Sequence, residues 1–478
     1  MPNALTLKIT PQSEWKGDLL VRFVLAHEKP APDKPSQEPG DVRLVELREK
    51  ALGEARLAAQ VSLGLPEKLN QEVIRRAGGR LARWLLKNEP TSVALDTSGL
   101  WELDLPDPVS PLFEGLYLGV FRFDRHKSIT ETKPALVVDI LDNGAYADLA
   151  QKLVHAEQLT SAVNLVREWA HEPPNVINPV SLAERVQQLA PEYGLRCTVI
   201  DDRQLAEMGA QAILAVGKGS HTPSRMIILE YPGREASAKP VVLVGKAITF
   251  DTGGYSLKDR EGMLGMKYDK CGGLAVLGTL LAASRLQIKY PVVGIIAAAE
   301  NMVSGESYRH SDILKTLSGK TVEVISSDAE GRMVLCDALT YAQQKYQPQA
   351  LIDLATLTGG VVIALGKLRC GIMANSDGLA DALTKSGERV FERMWRLPLD
   401  PEYFDLIKGD DSDFKNAGAR EAHAIIGGIF LKQFVADEVP WAHLDIAGVA
   451  SADKDQPYSP KGATGFGIRL LVDYLEQI

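Results

Sequence analysis

Residues 241–269 read VVLVGKAITFDTGGYSLKDREGMLGMKYD. The four apolar residues Val241 to Val244 have the pattern of a strand buried on both faces. Gly245 is expected to end that strand, with Lys246 just beyond it. Asp251 comes five residues after Lys246, and Gly253-Gly254 permit a tight backbone path past it. Lys258 and Asp269 complete the set. Two lysines and two carboxylates are thus expected just past the end of a buried strand, the rim at which open α/β sheets bind ligands. A solvated polar loop would also contain Lys and Asp. The apolar run and the glycine pair favour a site.

Outward from this stretch, short apolar runs alternate with helical periodicity. Just before it the expected strands are CTVI and MIILEY, and after it PVVGIIAAAE, TVEVI, ALIDLATL, CGIMAN and WAHLDIAG. Helices are expected over 271–286, 331–346, 379–394, 424–436 and 465–477. This order predicts an α/β domain with a central, mostly parallel mixed sheet flanked by helices. Toward the N-terminus, Leu19 to Ala26, 92–96 and 135–141 read as strands, and 43–60 and 68–87 as helices. EKPAPDKPSQEPGD, rich in Pro and charge, reads as a loop. A smaller α/β domain over 1–150 and a larger one over 151–478 follow. A helix from about Tyr146 to Trp169 opens the second, and Ser181 to Glu184 reads as a capping box starting the next.

The chain has 478 residues, enough for two or three domains with at least one large core. With 45% apolar and 24% charged residues it has an ordinary globular balance. Lys plus Arg is 53 against 62 for Asp plus Glu, and the net charge of -9 argues against a dedicated nucleic-acid binder. Cys197, Cys271, Cys336 and Cys370 are far apart and form no CxxC pair. They fit small core residues in a reducing cytoplasm better than disulfides or a thiolate zinc site. No basic region followed by a long apolar run opens the chain, so neither a secretory signal nor a membrane span is expected.

A second charged cluster lies in VEVISSDAEGRMVLCDAL. Val322 to Ile325 reads as a strand ending, followed by Asp328, Glu330 and Arg332 at the start of a helix. By itself an acidic helix N-terminus is a favourable dipole interaction. Here it repeats the first arrangement, and the candidate ligands become Lys246, Asp251, Asp269, Asp328 and Glu330. Four carboxylates crowded together repel unless cations lie among them. That many oxygen donors suit two divalent ions held close together. No histidine falls in either cluster, so the HExxH zinc arrangement is absent. His443 reads as a packed core histidine, and Asp353 and Asp445 as carboxylates at strand ends.

VGKAITFDTGGYSLK, MKYD, SSDAEGR and LIDLATLTGG resemble the leucyl aminopeptidase (cytosol aminopeptidase) family of dinuclear metallo-exopeptidases. The similarity runs from about residue 150 to the C-terminus, through ENMVSGESYRHSD, WRLPL and HLDIAG. It is weaker in the N-terminal third, where EGLYLGVFRFDRHKS carries it. The resemblance implies a metal-dependent aminopeptidase acting on peptides, preferably those beginning with Leu or another apolar residue, by attack of a metal-bridging hydroxide. Lys246, Asp251, Asp269, Asp328 and Glu330 would hold two divalent ions, Mn²⁺ or Zn²⁺ with Mg²⁺ or Co²⁺ as alternatives. Asp251 and Glu330 would bridge them. Lys258 and Arg332 would be the catalytic pair, with bicarbonate on Arg332 as proton shuttle. Met266, Leu357 and Gly359 match positions lining the substrate site.

The resemblance further implies a cytoplasmic homohexamer. AIIGGIFLKQF is expected to contribute apolar surface for that assembly. Three departures from the family pattern stand out: Ser326-Ser327 for Asn-Thr, Lys270 where Met is usual, and Ala422-His423 in a stretch usually rich in Gly. Two other readings remain. A dinuclear phosphoesterase would use similar carboxylates but usually recruits histidines, and an additional DNA-binding role sits poorly with the acidic balance.

Overall fold

Six short strands rich in Leu, Val and Ala build the sheet of the first unit, which comprises residues 1–164 and 453–461. The structure is a computed structural model and describes residues 5–26, 36–47, 55, 57–128, 135–144 and 147–478. The strands are β1 (Leu5–Pro11), β2 (Leu19–Val24), β3 (Val42–Glu46), β4 (Leu57–Ser62), β5 (Val93–Asp96) and β6 (Leu136–Asp142). They lie in the order β1-β6-β5-β2-β4-β3, all parallel except β3, which runs antiparallel to β4. Helices α1 (Gln71–Asn88) and α2 (Val109–Gly119) pack on it, and Asn70 caps α1 by accepting a hydrogen bond from Val73 N at 3.1 Å.

The helix expected over 43–60 is not formed where the structure describes that stretch. β3 and β4 stand there instead. Ala58, Ala59 and Val61 are buried between neighbouring strands, and pairing with β2 overrides the helical spacing. Residues 48–54 and 56 lie outside the described residues, as do Tyr146 and 28–35 of the expected loop.

The second unit comprises residues 165–452 and 462–478. It contains the end of α3 (Leu149–His171), then α4 (Pro179–Leu189). Asn178, not Ser181, is the N-cap of α4. Its side chain accepts from Ser181 N at 2.9 Å, and Ser181 Oγ accepts from Asn178 N at 3.0 Å. The capping box is therefore real but lies three residues earlier than the sequence reading placed it. Pro179 at the first helical position favours this start, because its missing N–H would be unpaired there in any case.

The chain then forms β7 (Arg196–Ile200), α5 (Asp202–Met208), α6 (Gln211–Gly217), β8 (Arg225–Tyr231), β9 (Val241–Asp251), α7 (Arg260–Met263) and α8 (Cys271–Arg285). β10 (Val292–Asn301), β11 (Ile313–Lys315), β12 (Thr321–Glu323), α9 (Glu330–Tyr346), β13 (Ala350–Ala355), α10 (Gly359–Leu365) and β14 (Cys370–Ala374) follow. The last elements are α11 (Asp377–Val390), β15 (Met394–Arg396), β16 (Phe414–Lys415), α12 (His423–Lys432), β17 (Trp441–Asp445) and α13 (Ile468–Gln477).

Eight of these strands form one sheet in the order β15-β14-β17-β13-β9-β10-β8-β7. The middle four, β17, β13, β9 and β10, are mutually parallel, and antiparallel pairs flank them. The larger unit is thus a mostly parallel mixed sheet with helices on it, and the chain as a whole is α/β. Gly245 does not end the central strand. β9 continues through Gly245 and Lys246 to Asp251. A Cβ on Gly245 would lie 2.5 Å from Gly273 Cα, so the glycine lets α8 press its backbone against the strand.

α12 does not supply free apolar surface. Ile426, Ile429, Phe430 and Leu431 are buried in this unit's own core, and Phe430 and Phe434 pack their rings on Phe414. Among the described residues no helix is long and apolar enough to cross a membrane.

Candidate metal centre

The four parallel, largely apolar strands carry polar residues at or just beyond their C-terminal ends. Asp251 ends β9, Asn301 ends β10, Thr356 follows β13 and Asp445 ends β17. β9 also carries Lys246, fully enclosed because α9 begins directly over it: a Cβ on Gly331 would lie 2.7 Å from Lys246 Nζ. Glu330 opens α9, and Asp328 precedes it by two residues. Asp269 lies in a 3-10 turn, Met266–Lys270, just before α8.

The fold brings six of the seven charged residues singled out around the two strands into one group. Lys246 Nζ lies 2.8 Å from Glu330 Oε1 and 3.0 Å from Asp269 Oδ2, and donates to Thr356 O at 2.9 Å. Lys258 Nζ lies 2.8 Å from Asp251 Oδ2 and is also paired with Asp328 Oδ1. Asp251, Asp328 and Glu330 each offer an oxygen within 4.8 Å of the other two. Asp269 is joined to them through Lys246.

Four carboxylates against two ammoniums leave a formal excess of two negative charges in a site that is mostly buried. The consequences are visible in proton affinity. Burial and the Asp251 charge push Glu330 up to about 7, although Lys246 opposes them. Burial and Glu330 push Asp328 up to about 6 against the pull of Lys258. Asp269 is raised by burial, which Lys246 offsets in part. Burial disfavours the charge on Lys246 and Lys258, but the surrounding carboxylates outweigh it and hold both ammoniums above the ordinary lysine value.

A divalent ion fits this donor set. Glu330 Oε2 is buried with no hydrogen-bond partner, and Asp269 Oδ2 is buried with an ion pair but no aligned hydrogen bond. Such orphaned carboxylate oxygens are costly unless a cation meets them.

Arg332 is buried on α9, two residues after Glu330. Its Nη1 donates to Asn416 O at 2.9 Å, its guanidinium lies 5.9 Å from the Phe430 ring centroid, and its Nε has no partner. Burial lowers it to about 10. Met266 and Leu357 are half-buried, on the turn that carries Asp269 and just beyond Thr356. Gly359 is exposed at the start of α10. Asp445 accepts from Thr358 Oγ1 at 2.6 Å and Leu357 N at 3.1 Å, which fixes the loop between β13 and α10.

Several positioning residues escaped the sequence reading. Asn301 Nδ2 donates to Asp251 Oδ1 and to Ser327 O, at 2.8 and 3.0 Å. Thr356 Oγ1 donates to Asp269 Oδ1 at 2.6 Å. Asn416 accepts from Ile325 N and donates to Ser326 O, each at 2.7 Å, holding the turn before Asp328. For Asn301 a signal existed, since it and Glu300 are the polar residues that close the apolar run IIAAAEN. Asn416 lies in a loop and carried none. Ser327, one of the departures, is buried and donates to Gly253 O at 2.7 Å, so it ties the two charged segments together.

Residues 164–472 match the family model for the catalytic domain of the cytosol aminopeptidase family, and residues 41–130 match that for its N-terminal domain. A probable cytosol aminopeptidase of Geotalea uraniireducens is 45% identical over 422 residues, 87% of this chain and 84% of that protein. One from the archaeon Cenarchaeum symbiosum is 41% identical over 419 residues, 87% and 84% of the two chains. The solved structure of the bottromycin maturation enzyme BotP in complex with Mn superposes with a TM-score of 0.88 at 30% identity, covering 96% of this chain and 99% of that one.

Proposed function

Because the chain belongs to the cytosol aminopeptidase family, we propose that it releases N-terminal residues, Leu and other apolar ones foremost, from peptides in the cytoplasm. It is a metal-dependent aminopeptidase, and peptides are its substrates. The catalytic domain is proposed to begin near residue 151, between the matched stretches 41–130 and 164–472. The observation that carries the site assignment is the convergence of Asp251, Asp328 and Glu330 oxygens within 4.8 Å, with Glu330 Oε2 unpartnered.

Lys246, Asp251, Asp269, Asp328 and Glu330 are assigned to two divalent ions, Mn²⁺ or Zn²⁺, with Asp251 and Glu330 shared. Mg²⁺ and Co²⁺ are the alternatives. BotP, solved with Mn, supports Mn²⁺. Bound ions of this kind supply Lewis acidity and a water activated as hydroxide near neutral pH. Lys246 must be neutral to act as a ligand, and a nearby dication lowers a lysine's pKa in that direction.

Lys258 keeps its charge and stabilises the oxyanion that forms on the scissile carbonyl. Arg332, with a buried donor to spare at Nε, would hold a bicarbonate, which would supply a proton shuttle beside the metals. Met266, Leu357 and Gly359 bound the pocket for the substrate's first side chain. No histidine joins the acidic group among the described residues, which weighs against a phosphoesterase.

The test is hydrolysis of a panel of aminoacyl p-nitroanilides by metal-stripped protein, with Mn²⁺, Zn²⁺, Mg²⁺ or Co²⁺ restored one at a time. Activity should vanish with the metal, return with it and favour Leu. Active, extensively dialysed protein with no divalent metal by elemental analysis would refute the assignment. Lys258→Ala should keep both ions and lose roughly 10²- to 10³-fold in kcat. Wild-type turnover with metals bound would remove Lys258 from the mechanism.

A further inference from the structure

Lys270, next to Asp269 in the chain, reaches into a cage of main-chain oxygens. α3 ends at His171, and Pro173 and Pro174 follow closely. Proline has no N–H, so the Ala170 carbonyl receives neither an i+3 nor an i+4 donor. Lys270 satisfies it. The Lys270 ammonium is fully buried and donates to Ala170 O at 3.1 Å, Glu172 O at 3.2 Å and Lys267 O at 2.5 Å. It forms no ion pair with a described carboxylate. The carbonyl between the two helix-end oxygens, His171 O, accepts from Lys267 Nζ at 2.6 Å.

Neutral carbonyl oxygens converging on one point, at the negative end of a helix dipole, make a site for a monovalent cation. An ammonium carries three rotatable donors and matches three acceptors. Lys267 and Lys270 both belong to the turn that carries Met266 and Asp269. The two lysines therefore pin that turn to the end of α3, while Thr356 Oγ1 holds the Asp269 carboxylate.

Resting on the assignment of Asp269 to a metal, we propose that the oxygens of Ala170, Glu172 and Lys267 form a monovalent-cation site that this chain fills with its own Lys270 ammonium. Lys270 is thereby a positioning residue for Asp269. The side chain touches neither substrate nor metal. It acts by fixing where the Asp269 turn sits.

Chemical rescue separates this role from simple packing. In tetramethylammonium buffer, whose cation is too large for the cage, Lys270→Ala should bind one of the two Mn²⁺ ions roughly 10- to 100-fold more weakly than wild type, the usual effect of losing a supporting group around a ligand. Free Mn²⁺ is followed by electron paramagnetic resonance, and melting temperature is recorded with and without Mn²⁺. K⁺ or methylammonium should restore Mn²⁺ binding and raise the melting temperature of the metal-free variant saturably. Wild type, already filled, should not respond. Lys270→Met fills the space without donors, so it should bind Mn²⁺ weakly and stay indifferent to added cations.

Wild-type Mn²⁺ affinity in Lys270→Ala under tetramethylammonium, or melting indifferent to K⁺ and methylammonium, would overturn the proposal. A variant that folds only with those cations would support it. Failure to fold in any buffer, with Lys270→Met binding Mn²⁺ as wild type does, would overturn it. Wild type that binds no second Mn²⁺ would instead refute the dinuclear reading, and the cation-dependent melting of metal-free Lys270→Ala would still report on the cage.

Discussion

Lys246 and Lys258 show how far a residue's behaviour depends on its neighbours. Both are drawn among carboxylates that hold their protons more tightly than water would, although burial acts against the charge. His443 follows the same logic away from the centre. It is fully buried, with Nδ1 2.6 Å from Asp353 Oδ1, and Trp441 Nε1 donates to the other oxygen at 2.8 Å. Burial opposes the imidazolium, but Asp353 outweighs it with its charge and hydrogen bond, Asp445 assisting and Arg332 opposing, and the ring is raised above its ordinary 6.5. A raised folded value means that the native state holds the proton more tightly than the unfolded chain. The stabilisation is therefore complete below about pH 6.5 and is lost as pH rises through the raised value. Denaturant unfolding from pH 6 to 9 should show wild type weakening relative to His443→Asn over that window. Parallel profiles for the two proteins would contradict this.

The turn that carries Asp269 runs directly into α8, so the placement of that helix matters to the site. Its first turn, Cys271-Gly272-Gly273, presses backbone against backbone. A Cβ on Gly272 would meet Leu354 O of β13 at 2.2 Å, and neither main chain can yield without moving the strand or the helix. Gly272→Ala should cost about 1–3 kcal/mol, the usual penalty of overpacking. It should also weaken metal binding, because the displaced helix takes the Asp269 turn with it. Chemical denaturation and Mn²⁺ titration measure the two effects, and a variant as stable as wild type would show that the close approach is not required. Elements also explain where sequence reading succeeded. The apolar runs at β8, β9, β10 and β13 stood out because both faces of each strand are covered. β3 and β4 were misread because pairing with neighbouring strands, not local spacing, decides their conformation.

For the whole molecule we propose the homohexamer that the family resemblance implies. α12 gives no support, since its apolar residues are consumed inside the chain. Exposed apolar residues lie elsewhere, among them Ile363, Leu368 and Leu264 at 81%, 74% and 71%. Light scattering should give about six times the chain mass of 52.0 kDa. A monodisperse monomer with full peptidase activity at low concentration would refute the hexamer and leave the metal chemistry intact.

The sequence by itself determined the α/β class, the central strand and the charged residues around it, because buried parallel strands and charge clusters leave local patterns in the chain. Lys246, Asp251, Lys258, Asp269, Asp328, Glu330 and Arg332 could all be picked out in this way. Only the tertiary structure decided which atoms meet. It placed Lys246 inside the strand rather than after it, joined Asp269 to the other carboxylates through that lysine, and recruited Asn301, Thr356 and Asn416 to hold them. It also turned Lys270, one departure among three in the sequence, into the occupant of a carbonyl cage. Those contacts bring together residues 23 to 100 positions apart, and no local period or propensity encodes a distance of that kind.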